Sequence, residues 1–345
     1  MQHVALLDCT LRDGGFINDW RFGQKAVTSI FNALVQAGID IIEIGFLNAA
    51  CTFDENRTML PDTGCVQRLL TNQPRRGSLV VGMIDYGTCP LQHLQAAAES
   101  PLDGIRVIFK KSRMHEAIAF CRALQELGYL VFVKPVSVTD YTPQELEVLL
   151  TLAKELVPHA ISIVDTYGLL APEQVVAYFL RFDRALPPTV AIGYHAHNNL
   201  QLGFAGCRAL CAAAAEAAPA RAVILDATLL GMGKSAGNTP LELLALWRNE
   251  QLPHRYDVGE LIAAIDSHVL PFYSEPTWGY RLPYFLAAAT GTHPTYAAYL
   301  QEKGLAAKKS FQLLQQIPND KKLYFSKDTA QALCRVHAAY GGVKS

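Results

Sequence analysis

Short apolar runs rich in β-branched residues recur through the first two-thirds of the chain, separated by segments whose apolar positions repeat every three to four residues. Eight runs stand out: 4–8 (VALLD), 40–46 (DIIEIGF), 79–85 (LVVGMID), 104–109 (GIRVIF), 130–136 (LVFVKPV), 161–165 (ISIVD), 190–195 (VAIGYH) and 222–226 (AVILD). Each predicts a strand. Between the first two, 27–38 (VTSIFNALVQAG) places Val27, Ile30, Phe31 and Leu34 on one helical face and ends in Gly38, a cap leading straight into the next run. The segments 115–129 and 143–157 repeat the arrangement. Continuous apolar strands alternating with amphipathic helices imply a parallel sheet covered by helices.

Eight such units in roughly 240 residues is the size of a TIM (β/α)8 barrel. An open doubly wound sheet is the alternative, which eight regular repeats disfavour. Beyond the helix starting near Pro240 the alternation stops, and Val258, Leu261, Ile262, Ile265 and Val269 form one apolar stripe followed by further helical patterns. The predicted fold class is therefore α/β, a TIM barrel over residues 1–249 with a C-terminal helical extension over 250–345. The extension is expected to cover the barrel mouth or a dimer interface.

Composition narrows the function. Of 345 residues, 50% are hydrophobic and 18% charged, enough to bury a large core. Thirty Lys plus Arg against thirty-one Asp plus Glu give a net charge of -1, without the basic footprint of a nucleic-acid partner. No apolar stretch approaches the roughly 20 residues that cross a bilayer, so no membrane association is expected. Asp8, Arg12 and Asp13 interrupt the region where a signal peptide would be apolar. Eight scattered cysteines with no CxxC pair predict buried thiols in a reducing, cytoplasmic setting.

Reactive side chains collect where strands end, the location of barrel active sites. The first run leads into Asp8-Cys9-Thr10-Leu11-Arg12-Asp13-Gly14-Gly15, the second carries Glu43, the sixth ends in Asp165-Thr166, the seventh in His195-Ala196-His197, and the eighth runs into GMGKSAGN at 231–238. Two residues apart in extended backbone, His195 and His197 point the same way, as two ligands of one ion must. A lone HxH is also what a core or surface pair looks like; adding a carboxylate from another strand end suits a divalent cation with open positions. Asp13, beside Arg12, is the best-placed carboxylate. Backbone N–H groups around Gly231 and Gly233 are candidates to hold a substrate carboxylate or phosphate. Asp8 reads either as a substrate contact or as a cap holding Arg12, and Thr166 as a substrate contact or as support for one. Lys134 offers a Schiff-base alternative.

Asp8-x-Thr10-Leu11-Arg12-Asp13-Gly14 with a distant His195-x-His197-Asn198-Asn199 resembles the signature of the DRE-TIM metallolyase superfamily, which includes hydroxymethylglutaryl-CoA lyase, isopropylmalate and homocitrate synthases, and 4-hydroxy-2-oxovalerate aldolase. The resemblance implies Asp13, His195 and His197 as ligands of a divalent metal, Mn2+ or Mg2+, with Asn238 on or near it. It implies Arg12 as the enolate-stabilising residue and Glu43 as the acid that orients Arg12. GMGKSAGNTPLE resembles the aldolase branch's GMG-x-x-AGN-x-PLE loop, and Thr277-Trp278-Gly279-Tyr280 resembles its segment carrying a catalytic tyrosine, here Tyr280. The expected reaction is carbon–carbon cleavage of a 4-hydroxy-2-oxo acid to pyruvate and an aldehyde, or the reverse, by a homodimer with room for a dehydrogenase partner.

One departure stands out. Where those aldolases carry a catalytic histidine three residues after the metal aspartate, this chain has Phe16. Asn18, Asp19, Tyr280, His115 and a metal-bound water are the replacements the sequence offers. Phe16 also keeps open two alternatives: a Claisen-type synthase using acetyl-CoA, and a catalytically impaired barrel acting as a binding subunit.

Overall fold

A computed structural model describes residues 3–71, 73–273 and 277–340, with side chains as far as residue 335. Its strands are β1 (Val4–Asp8), β2 (Ile41–Leu47), β3 (Met59–Leu60), β4 (Leu79–Asp85), β5 (Gly104–Phe109), β6 (Leu130–Pro135), β7 (Ala160–Asp165), β8 (Ala191–Ala196) and β9 (Val223–Ala227). All pair in parallel in the order β1-β9-β8-β7-β6-β5-β4-β2, and β1 also pairs with β2, which closes the sheet. This is the predicted TIM barrel, each long strand lying within one residue of its sequence-derived run. The two-residue β3 is an addition, paired to the far end of β2.

Local sequence accounts for the helices around it. Helix Gln24–Gln36 buries Val27, Ile30, Phe31 and Leu34 against the sheet. Gly38, at φ +77°, makes the left-handed turn that returns the chain to β2. Thr142 and Glu145 form a reciprocal capping box at the start of helix Pro143–Leu156.

Packing divides the chain later than the 249/250 boundary. Leu261, Ala264, Ile265, Val269 and Trp278 belong to the barrel's own core, because the 258–269 stripe lies on helix Gln24–Gln36. A second small core begins at Leu286 and gathers Tyr296, Leu300, Leu313, Leu314 and Leu333. The extension reaches the loops beyond β6, β7 and β9. Tyr324 Oη donates to Asp140 Oδ2 (3.1 Å), Tyr167 Oη to Leu323 O (2.6 Å) and Trp278 Nε1 to Leu230 O (2.9 Å). All eight cysteines are free thiols. Among the described residues no helix is long and apolar enough to cross a membrane.

Candidate metal centre and active site

The barrel interior is built in layers by the two-residue pleat. Ala5, Leu7, Ile41, Val81, Phe132, Ala160, Ala191 and Ile224 pack as one apolar layer toward the N-terminal ends of the strands. Glu43, Lys134 and Asp226 each stand two residues beyond a member of that layer, and Arg106 and His195 two beyond Gly104 and Gly193. Interior geometry therefore stacks a charged layer directly on the apolar one.

These charges are paired throughout. Glu43 Oε2 accepts Arg12 Nε (2.8 Å) and pairs with Arg106 Nη1 (2.8 Å). Asp226 Oδ2 is shared by Arg106 Nη2, Lys134 Nζ and His195 Nδ1, the last at 3.0 Å. Arg12 also pairs with Asp13. Arg12, Arg106 and Lys134 thus balance Asp13, Glu43 and Asp226 in formal charge, the condition under which buried ions are tolerated. Burial alone would raise the Asp226 carboxyl, but Arg106 and Lys134 hold it well below the usual range. Burial, reinforced by Arg106, pushes the Lys134 ammonium down to about 8. Held on Asp226, that ammonium has no free lone pair for a carbonyl, so the geometry gives the Schiff-base reading no support.

At the mouth, ligand atoms of Asp13, His195 and His197 lie within 4.8 Å of one another. Asp13 ends the single-turn helix Thr10–Asp13 that follows β1. His195 lies in β8 and His197 just past it, where it bridges to Asn238. His195 Nδ1 is held by Asp226, and His197 Nδ1 donates to Lys234 O at 3.1 Å. Both Nε2 atoms are left for other work, the arrangement carboxylate- or carbonyl-anchored imidazoles adopt as metal ligands. Burial pushes His195 down to about 3 and His197 below its ordinary value, so both rings are neutral, as ligation requires. Burial opposes the charge on Asp13, yet Arg12, helped by the hydrogen bond from Asn238, holds its carboxyl far below the usual range.

Asn238 completes the cluster. Its Nδ2 donates to Asp13 Oδ2 and to Met232 O (3.3 Å), while its Oδ1 is buried without a partner. Gly233 leaves room for this set: a Cβ there would come within 2.5 Å of Asp13 Oδ2 and 2.2 Å of Asn238 Nδ2. A carboxylate, two neutral imidazoles and an orphaned amide oxygen form a donor set that fits a divalent cation.

The other expected residues lie in different roles. Asp8 is fully buried, both of its oxygens taken by the amide and hydroxyl of Thr10, whose hydroxyl in turn accepts from Leu229 N. It takes the cap role, joining β1 to the loop after β9 through Thr10, and burial pushes its carboxyl up to about 7. Thr166 Oγ1 accepts from Ser137 N (2.9 Å), tying the β6 and β7 ends together. Gly231, at φ +63°, gives its carbonyl to Asn238 N and so shapes the loop. Tyr280 is 61% exposed and its ring lies against Phe285 at 6.4 Å, so this structure does not bring it to the cluster. Asp19 is paired with Arg57, and His115 is exposed on helix Met114–Glu126.

Phe16 joins an aromatic wall. Its ring meets Trp20 at 4.9 Å and Phe46 at 6.3 Å, and Trp20 Nε1 donates to Arg12 O. Phe22 is buried against Phe272. The ammonium of Lys234 lies over Phe16 at 5.6 Å.

Sequence reasoning missed Arg106 and Asp226 as members of the site. The signal was present: a charge inside an otherwise apolar strand run, on the inward parity.

The HMGL-like family model matches residues 3–267. The chain is 24% identical over 311 residues to the 4-hydroxy-2-oxovalerate aldolase of Geobacillus genomosp. 3, covering 88% of this chain and 87% of that protein. It is 27% identical over 242 residues to the oxaloacetate decarboxylase of Mycobacterium tuberculosis, covering 69% and 68%. The carboxyl transferase domain from Rhizobium etli pyruvate carboxylase, solved with oxamate and biotin, superposes with a TM-score of 0.70 at 16% identity, over 98% of this chain and 61% of that one; this likeness is one of fold. With a family match over well more than half its length and relatives that are carbon–carbon lyases by name, the chain belongs to the HMGL-like family and is an enzyme of the lyase type.

Proposed function

We propose that the barrel mouth cleaves a 4-hydroxy-2-oxo acid to pyruvate and an aldehyde, or joins them, with Mn2+ or Mg2+ held by Asp13, His195, His197 and Asn238 Oδ1. The observation that carries this reading is the orphaned Asn238 oxygen beside three converging ligands, with Arg12 against them. When bound, the ion supplies Lewis-acid polarisation at the substrate's keto oxygen. Glu43 and Asp13 occupy Arg12 Nε and Nη1, which leaves Nη2 to donate to the oxyanion that develops as the C3–C4 bond breaks. Arg106 pairs with the same Glu43 oxygen, Oε2, that accepts from Arg12, and so helps fix the carboxylate that positions the guanidinium. The 4-hydroxyl proton leaves to a group other than residue 16, since a phenyl ring has no basic atom. The resemblance of GMGKSAGN to the aldolase loop and the aldolase named in the comparison support the same choice.

Incubating the protein with pyruvate in deuterated water tests this. Mn2+ is expected to cause loss of the methyl proton signal and EDTA to stop it; no metal-dependent exchange overturns the reading. A second reading rests on Phe16: loss of CO2 from a 2-oxo diacid needs no base, and one relative is named oxaloacetate decarboxylase. Faster CO2 release from oxaloacetate than aldehyde release from any 4-hydroxy-2-oxo acid would favour it.

A further inference from the structure

Most cations at the mouth are committed to carboxylates; of the described lysines there, Lys110 lies exposed over Tyr324, and Lys234 combines partial burial with the lack of an ion pair. Arg12 is held by Asp13 and Glu43, Lys111 by Asp140 and Glu145, and Arg57 by Asp19. Lys234 is partly buried, and among the described residues no carboxylate lies within ion-pair distance of its ammonium; its contact is the Phe16 ring. Asp13, itself paired with Arg12, acts on the ammonium only at longer range; a half-desolvated ammonium without a direct ion pair is costly, and an anionic ligand would relieve that cost.

The loop fixes where this amine can go. The Lys234 carbonyl accepts from both His197 Nδ1 (3.1 Å) and Gly237 N (3.0 Å), and Gly279 N pins the same loop through Ala236 O (3.3 Å). The preceding residue, Gly233, abuts Asp13 and Asn238. Lys234 therefore starts next to the ligand cluster and ends over Phe16, whose 44% exposed ring continues the Trp20–Phe46 wall. An apolar wall leading from the cluster to one uncommitted cation suits a short carbon chain ending in an anion.

We infer that Lys234 binds a carboxylate or phosphate at the far end of the substrate, so that the 4-hydroxy-2-oxo acids cleaved here carry a second anionic group on the aldehyde-forming half. This rests on the aldolase reading above. Cleavage breaks C3–C4. The 4-hydroxyl loses its proton as its oxygen becomes the aldehyde carbonyl, the bond's electron pair passes to C3, and a proton taken up there completes the pyruvate methyl. The anionic group departs unchanged on the aldehyde.

The test is binding without turnover, by calorimetry on the full chain loaded with Mn2+. The probes are 2-oxoglutarate, its phosphonate analogue 2-oxo-4-phosphonobutanoate, and 2-oxopentanoate, which lacks the second anion; none has a 4-hydroxyl to cleave. At least one dianion is expected to bind about tenfold tighter than 2-oxopentanoate, as an ion pair formed in a partly desolvated site would give. The tighter of the two dianions identifies carboxylate or phosphate. Lys234→Gln is expected to erase the preference and Lys234→Arg to retain most of it. Equal binding of all three by the unaltered protein overturns the inference, as does K234Q weakening every ligand by the same factor. Absence of metal-dependent pyruvate exchange strikes the aldolase reading separately, because the binding comparison requires no reaction.

Discussion

The two layers of the barrel interior are made by the same strands, one pleat apart, yet they do opposite things. Toward the N-terminal ends, Leu7, Ile41, Val81, Phe132 and Ile224 fill the barrel with apolar side chains. A cavity of about 360 Å3 opens beneath them, but its carboxylate, Asp40, is already spent on Leu6 N, Arg255 and Tyr256. One step toward the mouth, the volume is filled by Glu43, Arg106, Lys134 and Asp226, each paired, and the chain of pairs runs from Arg12 beside one ligand residue to His195, another. An open cavity is thus not in itself a mark of chemistry here. What the mouth offers is convergent donor and acceptor capacity left over beside the ligand cluster: Asn238 Oδ1, the two Nε2 atoms and the Lys234 ammonium.

The sharpest way to break the comparison is Asp226→Asn. It leaves Arg106 and Lys134 facing a neutral amide in a site closed to water, and breaking a buried ion pair in this way costs about 3–5 kcal/mol. Urea denaturation should show a loss of that order. His195 simultaneously loses the anion that orients it, so Mn2+ affinity is expected to fall about 10–100-fold on top of the stability loss. A mouth whose charged layer were merely decorative would show neither.

Gly233→Ala tests the mouth without touching a charge. Its methyl would need space 2.5 Å from Asp13 Oδ2 and 2.2 Å from Asn238 Nδ2, so Asp13 or Asn238 must move. Calorimetry is expected to record Mn2+ binding weakened by about tenfold or more, the scale of effect for displaced supports of metal ligands. Unchanged affinity would place the ion elsewhere.

The contrast between layers also explains what the sequence disclosed. Strand runs were legible because a parallel barrel buried on both faces demands continuous apolar residues, and the eight runs are those strands. Asp13, His195 and His197 were legible through the short motif that carries them. Arg106 and Asp226 were not, although each lies inside a recognised run, because hydrophobicity averages over a strand while function here depends on inward parity. Their pairing joins residues 120 positions apart and is set by closure of the sheet, which no local pattern encodes. The position of Tyr280 was out of reach of the sequence for a related reason. Its motif resembled a catalytic segment, but where its side chain lies depends on how the extension packs, and here it turns to Phe285.

Ile224→Val probes the lower layer one pleat below Asp226. Loss of a single methylene from a buried site costs about 0.5–1.5 kcal/mol. Mn2+ affinity should stay within about twofold, since a small cavity in the apolar layer leaves every ligand's partner in place. A change in metal affinity as large as that for Gly233→Ala would mean the two layers are mechanically coupled.

The smallest effect is a deficit in proton release. At pH 6 an unperturbed histidine is about three-quarters protonated and would release that fraction of a proton on binding a metal, so two would release about one and a half. Burial in the mouth pushes His195 down to about 3, so that ring is already neutral before an ion arrives, and burial lowers His197 as well. Mn2+ titrations at pH 6 in two buffers of different ionisation enthalpy should therefore give proton release at no more than about half that of two free imidazoles. The sign carries over to folding. Between about pH 6.5 and 3 the unfolded chain takes up a proton at residue 195 that the folded chain does not, so this residue's contribution to ion-free stability is present above pH 6.5 and declines as the pH falls toward 3. A buffer-dependent heat corresponding to about one and a half protons per ion would mean that the imidazoles are solvated and charged, and the mouth would lose the desolvation that sets it apart from an ordinary polar surface.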